Sequence, residues 1–142
     1  MNTLIELSKS LIKIHEGLEN FVYKDSRGLY TIGYGRNVDK NGGLGISDSE
    51  ADILLSNDLI RMQNEAVSHI PIFYELCLAR QAVVMDMLMM GLTHFLKFKK
   101  FLIDLNNKDY ESASLEIINS EISNNRKKNL SLIMSSGSIN KI

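Results

Sequence analysis

Residues 15–35 read HEGLENFVYKDSRGLYTIGYG, a run in which a helix end is followed by two β-forming segments. Gly17 is a natural helix stop, and the next segment is rich in aromatic and β-branched residues, which favour a strand. Asp25 and Gly28 then occupy the first and fourth positions of a four-residue turn, a composition typical of type I turns in bulged hairpins. A second strand is predicted over 29–35, so the run predicts a β-hairpin directly after a helix.

The flanking residues extend this prediction in both directions. Apolar residues at helical spacing before the run predict a first helix over 3–15. The polar, glycine-rich stretch 37–45 predicts a loop or a short third strand, so residues 18–45 form a small β region. Everything beyond it is typical of helices, and the fold class is therefore predicted to be α+β, with a helical majority.

The helical part begins with Ser47 and Glu50 at capping-box spacing. A long helix is expected over 47–70, ending before Pro71. Residues 73–90 are strongly apolar and predict a central buried helix, in which Cys77 would be buried and inert. The sequence predicts three further helices, with Asp109 capping the second and Gly137 ending the third: 93–106, 109–120 and 123–135.

Composition excludes several classes of protein. The chain has 142 residues, of which 44% are hydrophobic and 23% are charged, with a net charge of −1. These values are typical of one globular domain, and a nonspecific nucleic-acid binder would be clearly basic. A single cysteine excludes an intrachain disulfide. No apolar run is long enough to span a membrane, and the polar start is unlike an export signal, so we expect no membrane association and a cytoplasmic protein.

Charge is unevenly distributed along the chain. Residues 1–93 carry 8 basic and 12 acidic groups, whereas residues 94–142 carry 8 basic and 5 acidic groups. The basic half could meet an anionic partner, or it could be an ordinary solvated helical surface. The cluster Arg126-Lys127-Lys128 is open to the same two interpretations.

Three polar residues are candidates for a catalytic role. Glu16 is predicted in the last turn of the first helix, where the negative end of the helix dipole favours the protonated carboxyl that a general acid needs. Asp25 and Thr31 lie on the adjoining hairpin. Each also has an ordinary interpretation: an exposed glutamate, a turn-forming aspartate and a strand threonine. Together they suggest the paired carboxyl groups of glycoside hydrolysis.

The same residues carry a resemblance to a known family. The strings Glu16-Gly17, Tyr23-Lys24-Asp25 and Tyr30-Thr31-Ile32-Gly33-Tyr34-Gly35 closely resemble the phage lysozymes, glycoside hydrolase family 24. The family's catalytic glutamate, aspartate and threonine are nine and then six positions apart, as Glu16, Asp25 and Thr31 are here. Weaker similarity extends over essentially the whole chain.

The resemblance implies a lysozyme-like fold over 1–142 with two lobes. A β-containing lobe at about 13–46 would be joined by a connecting helix at about 47–70 to a helical lobe. That helical lobe would comprise about 71–142 together with the N-terminal helix 3–15, and the substrate cleft would lie between the two lobes.

The resemblance also implies an activity. The substrate would be the peptidoglycan glycan strand, cut at the β-1,4 bond from N-acetylmuramic acid to N-acetylglucosamine with inversion. Glu16 would be the general acid, Asp25 the second carboxylate and Thr31 the residue that positions water. It implies no metal or organic cofactor, no nucleic-acid partner and a monomer. The protein would act as an endolysin that waits in the host cytoplasm for a membrane breach.

Several positions depart from the family pattern. Arg36 follows Gly35 where histidine is usual, so an ion pair there would be permanently charged. Tyr34, Gly35 and Arg36 are candidate substrate contacts, as are Leu88 and Met89, two apolar residues where some relatives line the cleft with aromatic or amide groups. Residues 121–126 lack the family's basic residue and tryptophan. The alternative is therefore a weak or inactive lysozyme-fold protein that binds peptidoglycan or builds a virion.

Overall fold

The computed structural model describes residues 3–141, and the chain divides into two compact units, Met1–Leu54 and Leu55–Ile142. Within the described residues there are seven α-helices and one three-stranded antiparallel sheet. The predicted α+β class with a helical majority is confirmed. No described helix is both long and apolar enough to cross a membrane.

The first unit carries the sheet. Helix α1 is followed by three strands in the spatial order β1-β2-β3, and both neighbouring pairs are antiparallel. Thr31 on the middle strand pairs with Tyr23 on one side and Asn37 on the other. The element bounds are α1 Thr3–Glu16, β1 Glu19–Lys24, β2 Tyr30–Gly33 and β3 Arg36–Asn37.

The turn between β1 and β2 has the predicted chemistry. The N–H of Gly28 donates to the carbonyl of Asp25 at 2.9 Å, and the N–H of Asp25 donates to the carbonyl of Leu29 at 2.9 Å. Gly28 has φ +79°, a left-handed conformation that glycine adopts without steric cost. The predicted hairpin is confirmed, and the stretch 37–45 is a short third strand followed by a loop.

Helix α2, Asp48–His69, begins with the predicted capping box. The N–H of Glu50 donates to the hydroxyl of Ser47 at 3.2 Å, and the N–H of Ser47 donates to the Glu50 carboxylate at 2.7 Å. Two N–H groups that the helix itself leaves unpaired are thereby satisfied. The helix ends two residues before Pro71, as expected.

Five helices follow in the second unit: α3 Leu78–Leu88, α4 Leu92–Phe95, α5 Lys99–Asn106, α6 Tyr110–Ile118 and α7 Asn124–Ser136. Their buried faces form the core, whose largest fully buried side chains include Phe73, Phe95, Phe101, Met87, Leu88, Leu105 and Ile117. Asp109 caps α6 by accepting from the N–H of Ser112 at 3.1 Å, and Gly137 ends α7 with φ +70°. Both predictions are confirmed.

Two predicted helices are interrupted. The expected helix over 73–90 is a 3₁₀ turn, Phe73–Glu75, followed by α3, because Leu76 is extended and its carbonyl accepts from the Gln81 side chain at 2.8 Å. The expected helix over 93–106 is split into α4 and α5 at Phe98, which has a non-helical ψ of 60°. In both cases the interrupting residue is followed by a new helix start.

Cys77 corrects another prediction. It immediately precedes α3 and is exposed, instead of lying buried within an apolar helix. Its thiol contacts the carbonyl of Gly137 at 3.6 Å, so it lies where the start of α3 meets the end of α7. The expected packing of residues 3–15 with the helical lobe stays a prediction.

Candidate active site

Glu16 is the last residue of α1, and Gly17, with φ +69°, turns the chain away from the helix. Its carboxyl group lies against Gly35, in the turn between β2 and β3. A Cβ atom at Gly35 would stand 3.2 Å from Oε2 of Glu16 and 3.4 Å from its Cδ. The glycine therefore leaves the space that the carboxyl group occupies, and the end of α1 is placed against the sheet.

A second contact joins the same two segments. The ammonium group of Lys13 lies 5.3 Å from the ring centre of Tyr34, one helical turn before Glu16. A cation over an aromatic face is attracted by the ring quadrupole. The last turn of α1 thus meets the β2–β3 turn at two successive residues, Tyr34 and Gly35.

Asp25 is held by its own turn. Its Oδ1 accepts from the N–H of Arg27 at 2.8 Å and from the N–H of Leu29 at 2.9 Å. The Arg27 guanidinium lies 3.4 Å from Oδ2. The hydrogen bond from Leu29 is the main cause that lowers the pKa of Asp25, and Arg27 adds to it against a smaller opposing effect of desolvation. The carboxyl group therefore stays ionised to a lower pH than an ordinary aspartate does.

Thr31 is almost fully buried on β2, and its hydroxyl donates to the carbonyl of Leu29 at 3.0 Å. That carbonyl also accepts from the N–H of Asp25. Asp25 and Thr31 are thus brought together on the backbone of one residue, Leu29. Because the hydroxyl proton is committed, the oxygen of Thr31 is left to act as an acceptor.

Arg36 makes the permanently charged pair that its position predicted. Its guanidinium donates to the Glu50 carboxylate at 2.8 Å and to the carbonyl of Gly45 at 2.8 Å. The pKa of Glu50 is lowered chiefly by the N–H of Ser47 and further by Arg36, against a smaller opposing effect of desolvation. Arg36 therefore joins β3 to the start of α2 within the first unit.

A comparison with protein-family models identifies the chain. The model described as phage lysozyme matches residues 13–132, a span that contains Glu16, Asp25 and Thr31. The chain belongs to the phage lysozyme family. A search of curated proteins found no significant match. Membership places the chain among the phage lysozymes, which hydrolyse peptidoglycan.

In this phage lysozyme, Leu88 and Met89 differ sharply in side-chain exposure. Leu88 is only 1% exposed and its side chain belongs to the core of the second unit, so its contact with substrate stays a prediction. Met89 is 51% exposed and lies on the wall of a surface cavity of about 720 Å³, which Arg126 also lines. Helical periodicity explains the difference, since neighbouring residues of a helix point in different directions.

The basic cluster is partly tied to the fold. Arg126 pairs with Asp86 at 2.6 Å, and the ammonium group of Lys127 donates to the carbonyl of Ser120 at 3.2 Å. Two of its three cations therefore stabilise contacts of α7 in the second unit. Among residues 3–141 there is no group of three or more His, Cys, Asp or Glu that could hold a metal ion.

Asp39, a carboxylate that is almost fully buried in the loop after β3, is not among the predicted site residues. Its hydrogen bonds reach back to β2. The one signal for it in the sequence is the alternation of Asn37, Asp39 and Asn41, whose short polar side chains favour bonds to nearby backbone.

Three carboxyl groups of the first unit, on Asp25, Asp39 and Glu50, have lowered pKa values in the folded chain. The unfolded chain then binds more protons on acidification, so folding stability falls as the pH falls. We expect the free energy of unfolding to be level near neutrality. It should decline once the pH drops through the ordinary values of 3.8 and 4.5.

Urea unfolding at a series of pH values measures this decline. Glu50→Gln removes one of the three groups, so its curve should fall less steeply than that of the wild type. A wild-type stability that rises as the pH drops below these values would contradict the assignment of lowered pKa values.

Proposed function

We propose that the protein is an endolysin with muramidase activity, which hydrolyses the β-1,4 bond between N-acetylmuramic acid and N-acetylglucosamine during host lysis. The observation that supports it is the pair of carboxyl groups in the first unit. Glu16 stands at a helix end against Gly35, whereas Asp25 is kept ionised by backbone N–H groups and Arg27. Glycoside hydrolysis requires one protonated and one ionised carboxyl group.

Each residue then has one role. Glu16 protonates the glycosidic oxygen, so that the bond to the anomeric carbon breaks and the leaving sugar gains a hydroxyl group. Asp25 stabilises the positive charge that develops on the sugar ring and accepts a proton from the attacking water. Thr31 orients that water through its hydroxyl oxygen, whose proton is already donated to Leu29. The product is a new reducing end on N-acetylmuramic acid.

Digestion of purified peptidoglycan, with muropeptide and reducing-end analysis, tests this proposal. New reducing ends on N-acetylmuramic acid are the expected result. Reducing ends on N-acetylglucosamine or freed peptides would point to a different bond, and anhydro sugars would point to cleavage of the same bond without water. Each of these products would overturn the proposal. Binding to the same peptidoglycan without any product would instead support the alternative of an inactive wall-binding or virion protein.

The proposal also covers where the protein acts. We infer a monomer that accumulates in the host cytoplasm and reaches the wall only after the membrane is breached. Sedimentation equilibrium checks the first point, and fractionation of expressing cells before and after a membrane breach checks the second. A stable dimer or early appearance outside the membrane would contradict these two parts.

Gly35→Ala is expected to impair hydrolysis by displacing the Glu16 carboxyl group. Gly33→Ala is the matched control, because both glycines have positive φ, +84° and +70°, but only a Cβ at position 35 meets Glu16. Both variants should lose about 1 kcal/mol of stability, since an L residue is strained there. Only Gly35→Ala should also lose roughly 10-fold or more in kcat. Equal kcat values in stability-matched conditions would contradict the contact with Glu16.

A further inference from the structure

Asp39 is a charged residue that the proposed chemistry does not use. It is 8% exposed and sits in the loop that follows β3. Its Oδ2 accepts from the N–H of Tyr30 at 3.0 Å, and its Oδ1 accepts from the N–H of Asn41 at 2.8 Å. One carboxylate therefore bridges the loop and the first residue of β2.

The loop is folded tightly around this carboxylate. The N–H of Asp39 donates to Oδ1 of Asn37 at 2.9 Å, and the N–H of Gly43 donates to the carbonyl of Asp39 at 2.9 Å. A Cβ atom at Gly43 would lie 2.4 Å from that carbonyl oxygen, so any side chain there forces the loop to move. The position of Asp39 is thus determined from both sides along the chain.

Both backbone groups of Tyr30, the residue that Asp39 binds, are hydrogen-bonded. Its N–H donates to Asp39, and its carbonyl accepts from the N–H of Val38 at 2.9 Å. The preceding residue is Leu29, whose N–H bonds to Asp25 and whose carbonyl accepts from Thr31. The loop therefore fixes the backbone next to Leu29, which hydrogen-bonds to both Asp25 and Thr31.

We propose that Asp39 is the positioning residue for Asp25 and Thr31, acting through the Tyr30 N–H and the Leu29 backbone. This inference rests on the proposed function, because it assigns those two residues to the reaction. Asp39 touches no reacting atom. It holds the start of β2 at the register in which Leu29 presents its N–H to Asp25 and its carbonyl to Thr31.

Electrostatics agree with this role. The N–H groups of Asn41 and Tyr30 lower the pKa of Asp39, and Lys24 adds to this against the opposing effect of desolvation. The group is therefore ionised at neutral pH, and its two bonds are charge-assisted. An asparagine in its place keeps the shape but turns an NH₂ group towards one of two backbone donors, so one bond is lost.

Asp39→Asn tests the proposal, with Asp109→Asn as the matched control. Asp109 likewise has a lowered pKa and accepts a backbone N–H, from Ser112, but it caps α6 in the second unit. We expect Asp39→Asn to lower kcat on peptidoglycan by about 10- to 100-fold, since small displacements of reacting groups are costly. KM should stay within about 2-fold of the wild type. Asp109→Asn should leave both constants unchanged.

Two measurements test the positioning even if no hydrolysis is found. In Asp39→Asn, hydrogen exchange of the Leu29 amide should accelerate, and the pKa of Asp25, followed by carboxyl-carbon NMR, should rise towards its ordinary value of 3.8. Gly43→Ala should produce the same two changes without altering any charge. Failure of hydrolysis in the wild type with these changes present would overturn the function alone.

The proposal is overturned if Asp39→Asn behaves as Asp109→Asn does. Unchanged Leu29 exchange and an unchanged Asp25 pKa would show that Asp39 stabilises only its own loop. A fall in kcat that disappears when both variants are compared at equal folded fraction would lead to the same conclusion.

Discussion

Glu16→Gln is expected to leave the first unit folded and to reduce the release of reducing ends by about 10²- to 10⁴-fold, the usual contribution of general acid catalysis. Glutamine has nearly the same shape as glutamate, so it fills the same space beside Gly35. It has no proton that it can give to the glycosidic oxygen. The loss should therefore appear in kcat, with little change in binding to peptidoglycan.

Glu19→Gln is the control for this experiment. It makes the same chemical change on an exposed residue of the first unit, on β1, three positions further along the chain. Circular dichroism and thermal melting should be alike for both variants and the wild type. Hydrolysis at the wild-type rate by a folded Glu16→Gln variant would remove Glu16 from the reaction and leave Asp25 without its partner.

Phe95→Ala is expected to cost about 3–5 kcal/mol of unfolding free energy, the usual range for removing a buried aromatic side chain. Phe95 is 0% exposed, and its ring meets the ring of Phe101 edge to face, with 6.3 Å between their centres. Truncation leaves a cavity at the junction of α4 and α5 and also removes this aromatic pair. Urea unfolding followed by circular dichroism measures the effect.

Two further variants serve as controls for this result. Leu115→Ala changes an apolar residue that is 58% exposed on α6, so its effect should stay within about 0.5 kcal/mol. Phe95→Leu leaves a smaller cavity and keeps the variant measurable if Phe95→Ala does not fold. A loss below about 1 kcal/mol for Phe95→Ala would show that the second unit is not organised around this ring.

The local structure around the candidate site, the hairpin and the start of α2, was predictable because its signals are local. The hairpin needs only Asp25 and Gly28 at the right spacing, and the start of α2 needs only Ser47 and Glu50. In each case the partner groups are backbone atoms a few residues away, so chain connectivity brings them together. The carboxyl pair was predicted from residue types and from the resemblance to the phage lysozymes, and the family match covers the same span.

The differences between the predicted and the observed structure have one physical cause. They depend on contacts between residues that are distant in sequence, or on backbone that departs from the helical period. An apolar run over 73–90 looks continuous, although Leu76 is extended and interrupts it. The same apolar run predicts a buried, helical Cys77, which is instead exposed and lies just before α3. Leu88 and Met89 look equivalent as residues, yet one faces the core and the other faces solvent.

For this phage lysozyme, local chemistry alone was enough to predict the α+β class, the hairpin and the helix caps, whereas the set formed by Glu16, Asp25 and Thr31 was proposed from residue types together with the family resemblance. Packing in three dimensions decided which side chains are buried, that Gly35 makes room for the Glu16 carboxyl group, and that Asp39 reaches back to Tyr30. The reason is the distance along the chain between the interacting groups. Backbone hydrogen bonds within a turn form between near neighbours, whereas burial and close approach depend on segments that only the folded chain brings together.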